Sequence, residues 1–330
     1  MSLARPPKRQ ATTSRLGMFG RFLFALIAVA IFGAIGWAVV TNRSIEAAET
    51  PARGFAVPGT IVAIPGLTEV HLRTQGSGDP VLLIHDFDLA GGYQWSETAG
   101  LLTDRLVLMP DLVDFGFSAR PDARGRLHTV VGQAETMLAM LEELGISKVS
   151  VVGAGLGGVI AAEMAALEPG VIDRLVLIAP EILGPEPSWE SILYRLPSMG
   201  DAMTFSFFGA GSRADTRYAA GCDDGGYCPD AETRATRTAA ATMPGTTDAL
   251  VARFATPPAT TLPDSLETVT APTLIVWGAE DAITPMSQAQ ELQGLLSGSR
   301  VEVVALAGHR PHLENPSATA ALISEFLSAP

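Results

Sequence analysis

The sequence predicts an α/β fold in which a mainly parallel sheet is covered by helices on both faces. Short, almost continuously apolar runs such as PVLLIHD (80–86), KVSVVG (148–153) and APTLIVWG (271–278) are typical of strands buried on both faces. Helix-like stretches separate these runs, as the crossovers between parallel strands require. Apolar residues make up 47% of the 330 residues and charged residues only 17%, a balance that favours a packed core over disorder.

The remaining elements continue this alternation along most of the chain. Strands are predicted at RLVLMPD (105–111), DRLVLIAPE (173–181) and VEVVALAG (301–308), and helices at 128–145, 156–167 and 317–327. Residues 183–266 break the pattern, because they contain helical fragments and many Pro, Gly, Ser and Thr residues but no comparable strand. We therefore predict a core built from 60–182 and 267–330, with 183–266 inserted as a helical cap.

The predicted cap carries two features of its own. Its side chains Phe205, Phe207 and Phe208 are expected to pack the cap on the core or to line a pocket beneath it. Cys222 and Cys228, the only cysteines, bracket the sequence DDGGY. In an oxidising compartment this spacing suits a small disulfide loop, and the alternative is two unrelated buried thiols. Two cysteines cannot build a tetrahedral zinc site by themselves, and we expect neither a metal nor a cofactor.

The N-terminus is predicted to lie outside this fold. Residues 22–41 (FLFALIAVAIFGAIGWAVVT) carry no charge, and twenty helical residues rise roughly 30 Å, enough to cross the hydrocarbon core of a membrane. Basic residues are more numerous before this stretch than after it, so the positive-inside rule predicts a cytoplasmic segment 1–21, a single-pass anchor 22–41, a linker 42–59 and an extracytoplasmic C-terminal domain. The alternative is a signal peptide cleaved near Ala47 and Ala48, although the apolar region of such peptides is usually shorter, about 7–15 residues.

The glycines of GAGLGG (153–158) allow two interpretations. Gly153, Gly155 and Gly158 match the G-x-G-x-x-G pattern of a dinucleotide-binding turn between a strand and a helix. That interpretation requires an acidic residue about 20 positions later, at the end of the next strand. Apolar residues stand there instead, and Glu181 comes only afterwards. The pattern also usually opens its domain, whereas here at least two predicted strands come first.

The same glycines fit a nucleophile elbow, the sharp turn between strand and helix that carries the nucleophile of many hydrolases. An elbow predicts that an acid and then a histidine follow, each just after a later strand. Asp281 in WGAEDAITP and His309 in AGHRPHLENP meet both expectations. An elbow also needs an oxyanion-binding segment after an early strand, and LLIHDFDLAGG supplies it from His85 onward. The elbow interpretation therefore makes more predictions that the sequence meets.

With these motifs in place, the chain resembles the cap-bearing branch of the α/β-hydrolase superfamily, which includes esterases, C–C hydrolases, epoxide hydrolases and dehalogenases. The resemblance extends over residues 60–330 and rests on HDF (85–87), PDLVDFGFS (110–118), GAGLGG, WGAEDAITP and AGHRPHLENP. It implies that Asp281 is the triad acid and His309 the triad base. It also implies that the backbone N–H groups of Phe87 and Leu156 form the oxyanion hole.

Two departures from the family pattern alter this predicted site. Gly155 stands at the nucleophile position and has no side chain, so no acyl-enzyme or alkyl-enzyme can form there. Asp86 follows His85 where the family usually has glycine, and a carboxylate beside an oxyanion hole opposes the negative charge that develops there. Asp86 is itself a less favoured candidate for a covalent nucleophile, because attack geometry is normally set by the elbow. A metal site built from His85, Asp86, Asp88 and His309 is conceivable, but nothing in their spacing demands it.

Two functional hypotheses remain open. In the first, His309 is oriented by Asp281 and acts as a general base on a water molecule or a substrate proton, so that the chain is still a hydrolase of an ester or related bond in a small molecule. In the second, the chain is a catalytically inactive relative whose pocket binds a small apolar ligand or a protein partner. A net charge of −13 without a basic stripe argues against a nucleic-acid partner in either case.

Overall fold

An eight-stranded sheet forms the centre of the fold in the computed structural model, which describes residues 15–50, 57–121, 125–182, 193–196, 198–209, 227–255 and 265–329. Its strands are β1 (Thr60–Ile64), β2 (Thr68–Gly76), β3 (Asp79–Ile84), β4 (Arg105–Pro110), β5 (Val149–Ala154), β6 (Ile172–Ile178), β7 (Thr273–Gly278) and β8 (Arg300–Val304). They lie in the order β1-β2-β4-β3-β5-β6-β7-β8. The pairs β1–β2 and β2–β4 are antiparallel, whereas all other neighbouring strands are parallel.

Helices connect these strands and cover the sheet. They are α1 (Arg15–Ala48), α2 (Ser96–Gly100), α3 (Val130–Glu143), α4 (Leu156–Leu167), α5 (Met199–Phe208), α6 (Ala231–Ala241), α7 (Thr246–Ala255), α8 (Met286–Leu295), α9 (Pro311–Glu314) and α10 (Pro316–Ser328). Short 3₁₀ turns lie at Gly91–Trp95, Arg126–His128 and Leu266–Thr268.

The strands are buried on both faces because their apolar residues are consecutive. In β3, Leu82 and Ile84 pack into a cluster with residues of α3 and α4, whereas Val81 and Leu83 point to the opposite face and pack with Ile323 of α10. Because all four β3 side chains are inaccessible to solvent, each face of the sheet must be covered by helices. The predicted α/β fold with a mainly parallel, helix-covered sheet is confirmed.

The parallel register aligns the strand ends that precede the predicted site residues. Ile84 of β3 lies beside Gly153 of β5, and Gly278 of β7 lies beside Val304 of β8. The loops that follow these strands therefore leave the sheet at one edge, where ligand sites of open parallel sheets lie. The last predicted strand, 301–308, ends earlier than expected, at Val304, and the residues after it form the loop to His309.

Between β6 and β7, the described residues of the predicted cap form the helices α5, α6 and α7 and contain no strand. α5 packs against α7, and α6 packs on the 3₁₀ turn Gly91–Trp95 of the predicted oxyanion segment. The helical segment therefore lies over the edge of the sheet that carries the site. Cys222 lies outside the described residues, so the Cys222–Cys228 disulfide stays a prediction.

The N-terminal helix α1 is longer than the predicted anchor 22–41. It continues to Ala48, so the predicted linker 42–59 begins as helix, because TNRSIEAA contains neither glycine nor proline to end it. Among the described residues, α1 is the one helix that is long and apolar enough to cross a membrane, by length and composition. Its large apolar side chains are mostly exposed, for example Phe24 at 74%.

Glu49, directly after α1, attaches the N-terminal helix to the cap. Its carboxylate accepts hydrogen bonds from the backbone N–H groups of Gly245 (2.8 Å) and Thr247 (2.6 Å) and from the Thr247 hydroxyl. These donors lie at the beginning of α7, where the helix dipole favours a negative charge. α1 also packs along α5. The end of α1 and the helices above the site are thus in direct contact.

Candidate active site

The turn between β5 and α4 has the sharp geometry expected of an elbow. Gly155 adopts φ 49° and ψ −116°, a conformation that side-chain-bearing residues adopt only under strain. The glycines around it allow α4 to approach the sheet closely, since a Cβ on Gly157 would overlap the carbonyl oxygen of Ile84, and one on Gly158 would press on Pro180. The glycines of GAGLGG are therefore accounted for by backbone packing around an elbow.

The carboxylate of Asp86 fills the place that an elbow side chain would occupy. A Cβ built on Gly155 would lie only 2.1 Å from Asp86 Oδ1. The same oxygen accepts a hydrogen bond of 3.0 Å from the backbone N–H of Leu156, one of the two predicted oxyanion donors. The other predicted donor, the Phe87 N–H, makes no hydrogen bond with a described residue. The predicted oxyanion hole is thus partly occupied by the protein's own negative charge.

His85 and Gln94 hold the segment that carries Asp86. His85 Nε2 accepts a hydrogen bond from the Leu112 N–H (2.9 Å), so the proton must be on Nδ1, which donates to the Asp86 carbonyl oxygen (2.6 Å). Burial lowers the pKa of His85, against the opposing effect of nearby carboxylates, and this favours the neutral ring. Gln94 Oε1 accepts from the Asp86 N–H (2.9 Å). Both side chains therefore orient the backbone around Asp86.

Asp281 and His309 meet at the same edge of the sheet. Asp281 Oδ2 lies 3.0 Å from His309 Nδ1, and both side chains are largely buried. Asp281 also accepts hydrogen bonds from the N–H groups of Ile283 and Thr284 and from the Thr284 hydroxyl. Burial alone would raise the pKa of Asp281, but these hydrogen bonds outweigh it and lower the pKa, so the group is an ionised acceptor. In the neutral form of His309, this hydrogen bond places the proton on Nδ1 and leaves the lone pair on Nε2.

Two further side chains, Trp277 and Glu314, hold the loops that carry Asp281 and His309. Trp277 Nε1 donates to the Thr284 carbonyl oxygen (2.9 Å) and fixes the loop of Asp281. The carboxylate of Glu314 accepts from the N–H groups of Gly308 (2.6 Å) and Arg310 (3.0 Å), on either side of His309. Sequence reasoning did not identify Glu314, although it lies in the same motif, AGHRPHLENP, five residues after His309.

Glu181 is a second residue that sequence reasoning did not place at the site. It follows β6 at the same edge of the sheet, and its Oε1 lies 3.6 Å from His309 Nε2. Burial raises the pKa of Glu181, and the charge of Asp86 raises it further. Burial would lower the pKa of His309, but the hydrogen bond to Asp281 and the charges of Asp86, Asp281 and Glu181 outweigh it, so the pKa lies above its usual value. The site therefore combines the imidazole of His309 with the carboxylates of Asp86, Glu181 and Asp281.

Aromatic side chains form an apolar wall next to Asp86. Phe87 packs against Phe208 of α5 (ring centroids 5.9 Å apart) and Phe254 of α7 (5.4 Å), and Tyr194 packs against Phe254 (5.0 Å). Of the three cap phenylalanines considered above, Phe208 thus reaches the site. Phe207, in contrast, is 57% exposed.

Comparisons with known proteins agree with this fold. A family model described as alpha/beta hydrolase fold matches residues 79–316, so the chain belongs to the α/β-hydrolase fold family. The 2-hydroxy-6-oxo-2,4-heptadienoate hydrolase of Pseudomonas putida is 24% identical over 290 residues, which cover 81% of this chain and 96% of that protein. A thermophilic esterase from Thermogutta terrifontis is 27% identical with a TM-score of 0.64, over 82% of this chain and 97% of the esterase. A membrane phospholipase A shares the fold, with a TM-score of 0.59 at 23% identity over 94% of this chain and 97% of that one.

Proposed function

We propose that the chain is a hydrolase in which His309, oriented by Asp281, activates a water molecule or removes a substrate proton. The hydrogen bond between His309 Nδ1 and Asp281 Oδ2 carries this proposal, because it holds the tautomer whose Nε2 can accept a proton. General-base catalysis contributes roughly 10²–10⁴-fold, which suits an ester or related activated bond rather than a stable amide. Because the Asp86 carboxylate fills the space at Gly155, the attacking water would lie on the other side of His309 Nε2 from Asp281, beside that carboxylate rather than in its place.

The substrate is proposed to be a small molecule with an apolar part. The wall formed by Phe87, Phe208 and Phe254 offers such a part a dry surface. The names of two similar proteins, a 2-hydroxy-6-oxo-2,4-heptadienoate hydrolase and an esterase, also point to small-molecule hydrolysis.

One observation favours the alternative function, an inactive family member that binds an apolar ligand or a protein partner. The hydrogen bond from the Leu156 N–H to Asp86 Oδ1 places a carboxylate where a substrate oxyanion would otherwise bind. A protein that no longer stabilises an oxyanion could keep the fold and the apolar pocket for binding alone.

Replacing His309 by alanine separates the two functions. If His309 is the general base, His309→Ala is expected to reduce the hydrolysis of an activated aryl ester such as 4-nitrophenyl butyrate by about 10²–10⁴-fold. Steady-state kinetics on the purified full chain in detergent would measure this, with thermal unfolding to check that the variant is folded. Equal rates for the two proteins would refute the role of His309. A folded but inert wild type would support the binding protein.

The pH dependence of the same reaction provides an independent check. Because the pKa of His309 is raised above 6.5, its basic form is lost as the pH falls through this raised value. We therefore expect kcat/KM to decline on the acid side at a pH above 6.5. Glu181→Gln removes one of the charges that raise the pKa, so the acid limb is expected to move to lower pH. The exposed Glu267→Gln is a matched control whose profile should follow the wild type.

We further propose that residues 22–41 of α1 form a single-pass membrane anchor, that segment 1–21 is cytoplasmic and that the C-terminal domain is extracytoplasmic. The length and apolarity of α1 and the basic residues that precede the apolar stretch support this arrangement. In membrane vesicles, the chain is expected to resist alkaline carbonate extraction, and its C-terminal domain should be digested only by a protease on the extracytoplasmic side. A soluble product shortened near Ala47 would instead establish the signal-peptide alternative.

A further inference from the structure

The side chain missing from Gly155 is replaced in space by that of Asp86. The 2.1 Å separation between a Cβ at Gly155 and Asp86 Oδ1 means that position 155 cannot carry a side chain while Asp86 holds this orientation. Glycine at the elbow and aspartate after His85 therefore form a matched pair. The two departures from the family pattern are one structural change, in which the functional group at the elbow comes from the neighbouring strand loop.

The two oxygens of this carboxylate are in different environments. Oδ1 accepts the hydrogen bond from the Leu156 N–H, which fixes the plane of the carboxylate. Oδ2 accepts no hydrogen bond from a described residue, and it is not among the fully buried polar atoms that lack a partner. A held carboxylate with one unpaired, accessible oxygen has the arrangement that a nucleophile requires. The fixed Oδ1 would become the oxyanion if a water molecule added to the carboxylate carbon.

We propose that Asp86 is a covalent nucleophile that attacks a saturated carbon bearing a leaving group, as in a haloalkane or an epoxide. This inference rests on the proposed role of His309 as the base that activates water. Oδ2 forms a bond to the substrate carbon, and the leaving group departs with its electron pair as a halide or as the alkoxide of an opened epoxide. The product of this step is an alkyl ester of Asp86.

Hydrolysis of that ester completes the reaction. His309 Nε2 takes a proton from water, and the resulting hydroxide adds to the Asp86 carboxylate carbon. The negative charge develops on Oδ1, which the Leu156 N–H already contacts at 3.0 Å. Collapse of this intermediate breaks the bond between the carboxylate carbon and Oδ2 and releases the alcohol, which receives the proton from His309. The carboxylic acid re-formed at Asp86 then gives its proton to solvent when a halide has left, or to the alkoxide of an opened epoxide. The net reaction is the addition of water. A haloalkane gives an alcohol and the acid of the halide, whereas an epoxide keeps its leaving oxygen as a hydroxyl group, and no other reactant is needed.

Electrostatics favour this substrate class over acyl substrates. An acyl substrate would develop a negative oxyanion next to the negative carboxylate of Asp86, which is unfavourable. Displacement at a saturated carbon instead disperses the negative charge of Asp86 toward the leaving group.

Trapping the ester tests the proposal. His309→Gln cannot activate water, so incubation of this variant with 1-iodohexane or styrene oxide is expected to add one alkyl group to Asp86, detected by intact-protein and peptide mass spectrometry. Wild type should release iodide continuously, and Asp86→Asn should lose this activity. The same Asp86→Asn variant is expected to hydrolyse 4-nitrophenyl butyrate faster than wild type, because a charge leaves the oxyanion hole. The exposed Asp104→Asn is the matched control.

The source of the product oxygen distinguishes failure of this inference from failure of the proposed function. In a single turnover in H₂¹⁸O, the first alcohol is expected to carry oxygen from Asp86, and the protein should gain ¹⁸O. Three results would show that Asp86 is not the nucleophile: a first alcohol that carries ¹⁸O, release of iodide by Asp86→Asn at the wild-type rate, or a wild type that hydrolyses the ester but neither alkyl probe. The proposed function of His309 and Asp281 in ester hydrolysis would still stand. If ester hydrolysis does not depend on His309, the proposed function fails, and with it this mechanism.

Discussion

Introducing serine at position 155 alone is expected to yield a less stable protein with no gain in ester hydrolysis. The new Cβ would overlap Asp86 Oδ1, and the φ of 49° would strain any residue with a side chain. Strain of this kind costs about 1–3 kcal/mol, so Gly155→Ser should lower the free energy of unfolding by at least this amount. Chemical denaturation and kinetics with 4-nitrophenyl butyrate measure the two effects.

Removing the side chain of Asp86 at the same time is expected to produce the gain in ester hydrolysis that serine alone does not give. In the double variant Asp86→Gly, Gly155→Ser, the serine has room, and the Leu156 N–H is free to bind a substrate oxyanion. One oxyanion donor is worth about 10²–10³-fold, so the double variant should hydrolyse the ester at least about 10²-fold faster than wild type. A burst of nitrophenol from an acyl-serine is expected only in the double variant. If Gly155→Ser alone hydrolysed the ester as fast as the double variant, Asp86 would not block a side chain at position 155.

The second large effect is expected when Asp111 is replaced, because its carboxylate holds the loop that follows β4. It is fully buried, and its carboxylate accepts hydrogen bonds from His71 Nδ1 (2.8 Å) and from the N–H groups of Gly92 (2.7 Å) and Phe117 (2.8 Å). Asp111→Ala would remove the acceptor of these three hydrogen bonds from the interior. Breaking a buried pair of this kind costs roughly 3–5 kcal/mol, a large part of the stability of an ordinary domain.

Chemical denaturation of the full chain in detergent would measure this loss as a lower unfolding midpoint. Asp104→Ala provides the control, because its carboxylate is 67% exposed and forms only a surface ion pair with Arg105. Its effect is expected to remain within about 1 kcal/mol. Similar losses in both variants would mean that the hydrogen bonds of Asp111 do not hold this part of the fold.

The fold and the positions of the acid and histidine could be predicted from the sequence because they depend on local patterns. Consecutive apolar residues require strands covered on both faces, and the order of elbow, Asp281 and His309 follows from strands that end at one edge. Glu181 and Glu314 could not be placed in the same way. Their roles depend on distances to His309 that the loops set, and a loop has no periodicity from which its path can be read.

The sequence by itself determined that this chain has the α/β-hydrolase architecture and that glycine stands at the predicted elbow position. Only the tertiary structure decided how Gly155 and Asp86 are related. In the sequence they are two separate departures, each unfavourable to catalysis. In the fold, the register that places Ile84 beside Gly153 brings the residues after these two strands together, so that the carboxylate occupies the space the glycine leaves empty. That coincidence in space depends on strand pairing between distant segments, which no local sequence pattern encodes.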